Sequence, residues 1–350
     1  MADTSFGIYE SPYLHDLLGQ PQALADTVAS FRPVPQLTAL RKDLEAGKRR
    51  RIVLTAMGGS YQVLYPLYFR LLQAGFDALM VETSELIYSA PRLFCAENVF
   101  IMVSQSGSSA EVVRALELPG PRPYFIGVTN TPGSPLDRQA DLSLVTLAGK
   151  ESSVSCKTSI TALALLDWVA EHLCGGDLAA LQKDLGGAVP AFSAYLAHWR
   201  EHVAALEKTL KGVRSIFFVG RGRSLTAAYL GAMVQKESVR VHGDGMSSAG
   251  FRHGAIEMLD SDVFVVVFDG DPGVSRFNRV LCQDVLNYGG KAALAGWEGA
   301  SGPFLLPQAP ARTLPMVELL VPQMTSLAFA GLRGRQPANF ERLTKVTTTE

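Results

Sequence analysis

The chain has 350 residues and a formal net charge of -1 at pH 7, with 47% hydrophobic and 19% charged residues. This length suggests about two domains, and the composition supplies ample apolar material for buried cores. The small net charge argues against a general nucleic-acid binder and against a protein that binds acidic membranes.

The N-terminal stretch and the cysteines predict a cytoplasmic protein. Residues 1–18 contain neither the basic segment nor the apolar core of a signal peptide. No apolar run reaches the roughly 18 residues that a membrane span needs. The cysteines form no C-x-x-C pair and have no histidine at metal-ligand spacing, which predicts reduced thiols and no metal site. They are Cys95, Cys156, Cys174 and Cys282.

Taken in order, the chain begins with a helical segment over residues 1–45, in which Pro33 and Pro35 break the helix. From 46 to 195, apolar runs alternate with helical stretches, which predicts an α/β domain with a mainly parallel sheet. The predicted strands are Ile52–Ala56, Ala78–Glu82, Val99–Val103, Tyr124–Thr129 and Leu142–Leu147. A long helix is expected from about Thr158, and residues 178–211 form a helical connection that we expect to break near Gly186, Gly187 and Pro190.

The central strand of this domain leads into a turn rich in hydroxyl groups, Ser104–Ser109, and a helix is predicted from Ala110. A helix start offers N–H groups to an anion, and serine hydroxyls add further donors. No lysine or arginine lies between Ile101 and Val113, so the turn would be a neutral cradle for a phosphate that must leave again. The alternative is a serine-rich loop that caps the helix. Four serines and a glutamine in six residues exceed what a cap requires, which favours the phosphate site.

Two strand-and-turn stretches of the first domain recur later in the chain. Residues 51–60 resemble 214–224, and residues 98–107 resemble 262–270, at offsets of 163 and 164. The repeat predicts a second α/β domain over 205–332. The serine-rich turn is replaced there by Asp269-Gly270-Asp271, whose carboxylates would repel a phosphate. We therefore expect one phosphate site per chain, in the first domain.

The second copy carries candidate acid–base groups. Glu237 lies on a helix predicted over Leu225–Val239, and His253 lies in a stretch from His242 to Gly254 that we predict to be a loop. A carboxylate and a histidine that converge could move a proton between sugar carbons and open a sugar ring. The alternatives are a solvated helix carboxylate and a histidine at a helix entry, and spacing alone does not decide between them. The extended polar tail, residues 333–350, carries Lys345.

Several stretches resemble one known family. They are VSQSGSSAEVVRAL at 103–116, TNTPGSPLDRQADLSLVTLAGKE at 129–151, and GRGRSLTAAYLGAMVQKES at 220–238 followed by RHGAIEMLD. They are similar to the tandem sugar isomerase (SIS) domains, above all to the isomerase half of glucosamine-6-phosphate synthase and its stand-alone relatives. The resemblance covers roughly residues 45–350. It implies an α/β fold of two tandem SIS domains with helices flanking each sheet and a C-terminal tail that closes over the active site.

The resemblance also implies roles for individual residues. The family's phosphate-binding residues correspond to Ser60, Ser104, Gln105, Ser106 and Ser109, and Val154 would border the sugar. Glu237 matches the proton-transfer carboxylate, and His253 matches the ring-opening histidine, which the partner subunit of a homodimer usually contributes. Lys345 matches the tail lysine that meets an open-chain carbonyl.

The sequence departs from the synthase pattern at several positions. The glutaminase domain is not expected, since only about 45 residues precede the first SIS copy. Val234 stands where the synthase has a lysine, Gly250 replaces a glutamate, and Ser155–Thr158 differs from the family's small-Ser-Thr-Lys pattern. These changes leave sugar-phosphate chemistry in place, but they argue against amination with glutamine.

The resulting hypothesis is an enzyme that acts on a hexose phosphate or amino-sugar phosphate. The reaction would be aldose–ketose isomerisation coupled to loss of an amine, as in a glucosamine-6-phosphate deaminase, with no metal or redox cofactor. A fructosamine-phosphate deglycase is the alternative enzyme, and a non-catalytic sugar-phosphate sensor is the alternative from another class. A P-loop nucleotide binder is excluded because the chain has no G-x-x-x-x-G-K-[ST] sequence.

Overall fold

The computed structural model describes residues 4–342 and 344–346. Within them the chain forms two compact units, each of which contains one parallel sheet. The first unit comprises residues 22–151, 155–186, 342 and 344–346. The second unit comprises residues 4–21, 152–154 and 187–341. The domain bounds expected from the sequence stay predictions.

The described residues form nine strands and sixteen α-helices, with short 3-10 helices between them. The strands are β1 (Ile52–Ala56), β2 (Ala78–Glu82), β3 (Val99–Val103), β4 (Tyr124–Thr129), β5 (Leu142–Val145), β6 (Ser215–Gly220), β7 (His242–Ser247), β8 (Val263–Phe268) and β9 (Lys291–Ala295). The α-helices are α1 (Pro12–Leu18), α2 (Gln20–Ser30), α3 (Pro35–Glu45), α4 (Gly58–Gln62), α5 (Tyr65–Gln73), α6 (Thr83–Tyr88), α7 (Ala110–Leu116), α8 (Pro135–Gln139), α9 (Lys157–Cys174), α10 (Leu178–Ala197), α11 (Trp199–Leu210), α12 (Leu225–Val239), α13 (Ser248–Arg252), α14 (Pro272–Asn287), α15 (Leu314–Val317) and α16 (Leu320–Arg333). The 3-10 helices are Thr4–Tyr9, Pro91–Leu93, Gly222–Ser224, Ala255–Met258, Gly302–Phe304 and Ala311–Thr313.

The first unit is built on a five-stranded parallel sheet in the order β2-β1-β3-β4-β5. Strands β1 and β3 are buried along their whole length, as their continuous apolar sequences predict for strands covered on both faces. Phe100 and Phe125 lie on adjacent strands, and their rings pack edge to face with centroids 5.3 Å apart. The strand order reverses between β1 and β3, and in open α/β sheets ligands bind at such a switch point, outside the carboxyl ends of the strands.

The second unit contains a four-stranded parallel sheet in the order β7-β6-β8-β9. Strand β7 corrects the prediction of a loop after Glu237, because residues 242–247 pair in parallel with β6. The strand was not predicted because it contains Gly243 and Gly245, and glycine is rare in strands. A Cβ at Gly245 would lie 2.4 Å from the Ala228 carbonyl oxygen, and one at Gly243 would lie 3.0 Å from that of Ala232. The strand lacks side chains at these positions because α12 packs directly on it.

Helix α10 corrects a second prediction, since it continues through Gly186, Gly187 and Pro190 to Ala197. The side chains of Leu181, Leu185, Phe192 and Tyr195, which follow helical spacing, are all buried. Their burial stabilises a helix that the glycines and the proline would weaken in isolation.

The N-terminal helix of the second unit packs against α16. The amide groups of Gln20 and Gln323 form two reciprocal hydrogen bonds of 3.0 and 2.9 Å. The hydroxyl oxygens of Tyr13 and Ser326 are 3.2 Å apart. All four side chains are buried, so these polar contacts fix how α1 and the start of α2 meet α16.

One helical stretch, Ala311–Arg333, is long and apolar enough to cross a membrane by length and composition, although the sequence predicts none. In the structure 94% of its most apolar window is buried inside the protein. This burial is typical of a core helix, because a lipid-facing helix would present its apolar side chains outward.

Candidate functional site

The turn between β3 and α7 is held in shape by its own hydroxyl groups. The Ser104 hydroxyl accepts a hydrogen bond from the Gly107 N–H at 3.1 Å, and the Ser106 hydroxyl accepts one from the Ser108 N–H at 3.3 Å. Gly107 has φ +60°, and a Cβ there would lie 2.2 Å from the Ser134 hydroxyl oxygen. The turn therefore requires glycine at 107 both for its backbone conformation and for its packing.

The carbonyl group of Gln105 fixes this turn against the end of β4. It accepts hydrogen bonds from the Asn130 N–H at 3.1 Å and from the hydroxyls of Thr129 and Thr131 at 3.2 and 3.0 Å. Three donors on one carbonyl oxygen leave the turn little freedom to move. A ligand bound there would meet donors that are already in position.

A pocket lies at the carboxyl ends of β1, β3 and β4. Its lining combines apolar residues with amide and hydroxyl groups, and no lysine or arginine is among the lining residues that the structure describes. The lining residues are Gly59, Ser60, Val63, Val103, Gln105, Val128, Thr129, Asn130, Thr146, Ser155, Thr158, Ser159 and Ala162. The pocket is thus a neutral site with many hydrogen-bonding groups at the switch point of the sheet.

The five residues expected to bind phosphate all belong to the first unit. Ser60 and Gln105 line the pocket. Ser104 and Ser106 shape the turn through their hydroxyls, and Ser104 is buried. Ser109 occupies the N-cap position of α7, but its side chain makes no capping hydrogen bond. Helix capping therefore does not explain this serine.

Sequence reasoning missed several polar lining residues on the loops that follow β4 and β5. Asn130 organises these loops: its Oδ1 accepts from the Ala148 N–H at 3.0 Å, and its Nδ2 donates to the Gly149 carbonyl at 2.9 Å. Ser155, Thr158 and Ser159 lie on either side of the α9 start. The signal that could have found them is the density of hydroxyl residues over 152–159, directly before a long helix.

Glu151 connects the tail lysine to the wall of this pocket. Its Oε1 accepts from the N–H groups of Cys156 and Thr158 at 2.9 and 3.2 Å, and its Oε2 accepts from the Thr158 hydroxyl at 2.6 Å. The Lys345 ammonium donates to the same Oε2 at 3.0 Å. Burial acts to raise the pKa of Glu151, but the Lys345 charge and the hydrogen bonds outweigh it and lower the pKa below its usual value.

The remaining predicted residues belong to the second unit. Glu237 lies on α12 and is half-buried, and His253 is the exposed residue that follows α13. The His253 N–H donates to the Gly250 carbonyl at 2.9 Å, so this histidine ends a helix, whereas the alternative interpretation had it beginning one. Helices α12 and α13 both pack against β7. Val154 is buried in the same unit. Their predicted roles stay predictions.

Residues 47–171, which contain the serine-rich turn, match the family model of the SIS domain. The isomerizing glutamine–fructose-6-phosphate aminotransferase of Pyrococcus horikoshii is 27% identical over 98% of this chain. The match covers 58% of that enzyme, so the chain spans little more than half the length of this curated relative.

Solved structures share the fold of both units. The C-terminal domain of glucosamine-fructose-6-phosphate aminotransferase from Francisella tularensis superposes with a TM-score of 0.82 and 22% identity, covering 94% of this chain and 98% of that one. A glucosamine-6-phosphate deaminase from Thermotoga maritima gives a TM-score of 0.79 and 18% identity, covering 97% of this chain and 100% of that one. The predicted α/β fold with two parallel sheets flanked by helices is thereby confirmed.

Proposed function

We propose that this protein is a phosphosugar isomerase. Its substrate would be a hexose phosphate or an amino-sugar phosphate, and the reaction an aldose–ketose isomerisation coupled to loss of the amine, as in a glucosamine-6-phosphate deaminase. The observation that carries the proposal is the neutral pocket with its hydroxyl groups at the switch point of a SIS-domain sheet. The relatives named above, which act on hexose phosphates, support the substrate class.

In this proposal the serine-rich turn fixes the phosphate. The hydroxyls of Ser60, Ser106 and Ser109 and the amide of Gln105 would donate to its oxygens, while Ser104 holds the turn in shape. Neutral donors bind a phosphate dianion less tightly than arginine or lysine does, because no opposite charge is present. Such a site suits a substrate that must be released after each turnover.

The chemistry would then use three further residues. His253 helps to open the sugar ring, and Glu237 transfers a proton between C1 and C2, a task that a positioned carboxylate performs well. Lys345 meets the open-chain carbonyl, and the tail excludes bulk water during the proton transfer. The transfer leaves an imine at C2, and one water molecule that enters the site then hydrolyses it to the ketone and releases ammonia. The proposal requires no metal or redox cofactor. Val154 would border the sugar.

The proposal includes a homodimer in the cytoplasm. All four cysteines are free thiols, which fits a reducing compartment. His253 would come from the partner subunit. An exposed histidine at the end of a short helix is available for such an exchange.

The first prediction concerns the turn. We expect the double substitution Ser104→Ala with Ser106→Ala to weaken the binding of a sugar phosphate by about tenfold or more, because each lost hydroxyl frees a backbone N–H that shaped the cradle. Calorimetric titration measures the affinity. Ser193→Ala, which alters a hydroxyl on α10 that donates to the Val189 carbonyl, is the control. Unchanged affinity in the double variant would place the phosphate elsewhere.

The second prediction concerns the proton transfer. Glu237→Gln should still bind substrate but lose at least about 100-fold in kcat, the usual scale of general acid–base catalysis. If His253 acts across a dimer, mixing Glu237→Gln with His253→Ala should restore up to about a quarter of the activity, since half of the dimers would then hold one intact site. Full activity of Glu237→Gln would mean that another base acts.

The experiment that tests the function is incubation of the purified protein with glucosamine 6-phosphate, without glutamine, while ammonia and fructose 6-phosphate are followed together. Both products appearing would support the deaminase-isomerase. Binding without products would favour a fructosamine-phosphate deglycase or a non-catalytic sensor. The absence of binding would rule out this sugar.

A further inference from the structure

The two oxygens of the Glu151 carboxylate have different partners. Oε1 accepts from the backbone N–H groups of Cys156 and Thr158 and thereby caps α9, a helix of 18 residues. Oε2 accepts from the Thr158 hydroxyl at 2.6 Å and from Lys345 Nζ at 3.0 Å. Capping the helix needs only the first oxygen. The second oxygen is therefore available for another task.

The Glu151 side chain is fully buried, while that of Lys345 is 25% exposed. A buried carboxylate that loses its cation is strongly unfavourable, whereas the same pair in water contributes little. The pairing therefore offsets the entropy that Lys345 loses when it is ordered, since the described residues 344–346 around it form neither helix nor strand. Burial of one partner makes this contact specific.

Thr158 lines the pocket that contains Ser60 and Gln105. Its hydroxyl and the Lys345 ammonium meet at one oxygen atom of Glu151. Glu151 therefore holds the tail lysine beside the wall of the proposed substrate pocket, in a position that the lysine's own flexible side chain would not select.

We propose that Glu151 is a positioning residue that docks Lys345 at the substrate pocket. The inference rests on the proposed function for the task of Lys345, but the docking itself does not depend on it. Glu151 does not touch the reacting atoms in this account. It fixes the position of the Lys345 ammonium before the substrate binds. A misplacement of about 1 Å in such a group can reduce a rate about 100-fold.

The docking is tested without any assay of activity. The full-length protein is treated with a limiting amount of an amine-acylating reagent, and the labelling of each lysine is followed by mass spectrometry. We expect Lys345 to be labelled about tenfold faster in Glu151→Gln than in the unaltered protein, because the amide keeps an oxygen for the helix N–H groups but loses the charge. Lys157, which donates to the Lys150 carbonyl, is the internal control and should not change.

Should Glu151→Gln fail to fold, Glu151→Asp gives the same comparison, because it keeps the charge at the helix start but is one methylene shorter. Equal labelling of Lys345 in the unaltered protein and in the variant that folds would overturn the proposal. Faster labelling of Lys345 together with Lys157 would mean a general loosening and would also overturn it.

The role of the docked lysine is tested by kinetics. We expect Glu151→Gln to lower kcat about tenfold with little change in KM, Lys345→Met to lower it further, and the double variant to equal Lys345→Met. Lys157→Met should leave kcat unchanged. Additive losses would overturn the positioning role. If Lys345 is released in Glu151→Gln but the unaltered protein converts no sugar phosphate, the docking stands and the proposed function fails.

Discussion

Gly107 and Gly133 offer a clean comparison of what a glycine contributes near the serine-rich turn. Both have positive φ, +60° and +74°, in the region that side chains rarely adopt. A Cβ at Gly107 would meet the Ser134 hydroxyl at 2.2 Å, whereas one at Gly133 would meet nothing within 4 Å. The pair therefore separates the cost of backbone strain from the cost of a steric clash.

We expect Gly107→Ala to lower the free energy of unfolding by about 2–4 kcal/mol, the sum of the conformational cost and an overpacking cost. Gly133→Ala should cost about 1 kcal/mol. Urea denaturation measures both values. Similar losses in the two variants would show that the side chain of Ser134 moves aside and that the turn is less rigid than its hydrogen bonds indicate.

At the scale of single residues, the sequence predicted the serine-rich turn but only some of the residues that line the pocket. Gln105 was predicted because it lies in a hydroxyl-rich turn directly after a strand, which is a local pattern, whereas Ser60 was implied only by the family resemblance. Asn130 and Thr146 were not predicted, because they reach the pocket only through pairing of β4 with the segment after β5. Sequence order does not reveal which strand ends will be neighbours.

At the scale of secondary-structure elements, strands β1 to β4 were predicted with the same first and last residues that the structure shows. They are short apolar runs bounded by turn residues, so local composition decides them. Strand β7 and helix α10 were mispredicted because tertiary packing overrides local preference in both. Glycine appears in β7 where a helix backbone approaches, and proline persists in α10 where buried side chains hold the helix.

The contact between α12 and β7 gives a prediction at this scale. Gly245→Ala should lower the free energy of unfolding by at least about 2 kcal/mol, since its Cβ would lie 2.4 Å from the Ala228 carbonyl oxygen and backbone cannot move aside as a side chain can. Gly273→Ala on α14, where a Cβ meets nothing within 4 Å, should be neutral or stabilising by up to about 1 kcal/mol. Equal effects on the urea midpoint would mean that the helix can shift away from the strand.

The stability of the whole molecule should depend on pH through Glu318. This side chain is buried, and among the described residues its Oε2 has no hydrogen-bond partner. Burial, aided by the negative charges of Asp271 and Asp269, raises the pKa of Glu318 to about 8, although a hydrogen bond from Ser224 and the Arg223 charge oppose this. At neutral pH the folded protein therefore holds a proton that the unfolded chain releases.

The direction of the pH effect on stability follows from this difference in proton binding between the folded and the unfolded state. A carboxyl group whose pKa is higher in the folded state contributes stability at low pH, and this contribution is lost as the pH rises from about 4.5 towards 8. The loss amounts to about 3 kcal/mol between pH 4.5 and pH 7. We expect Glu318→Gln to remove this slope from the free energy of unfolding, whereas Glu257→Gln at an exposed site should retain it. If the free energy of unfolding of Glu318→Gln fell with pH as steeply as that of the unaltered protein, other groups would be responsible for the pH dependence.

The reciprocal amide pair between Gln20 and Gln323 joins positions 303 residues apart in the chain. A ribosome makes the helix that carries Gln20 first and supplies its buried partner only 303 residues later. The first sheet lies entirely between these two positions, so its strands are complete long before the contact can form. The second unit can therefore finish folding only after α16 has been made, and the apolar face of α1 stays uncovered until then.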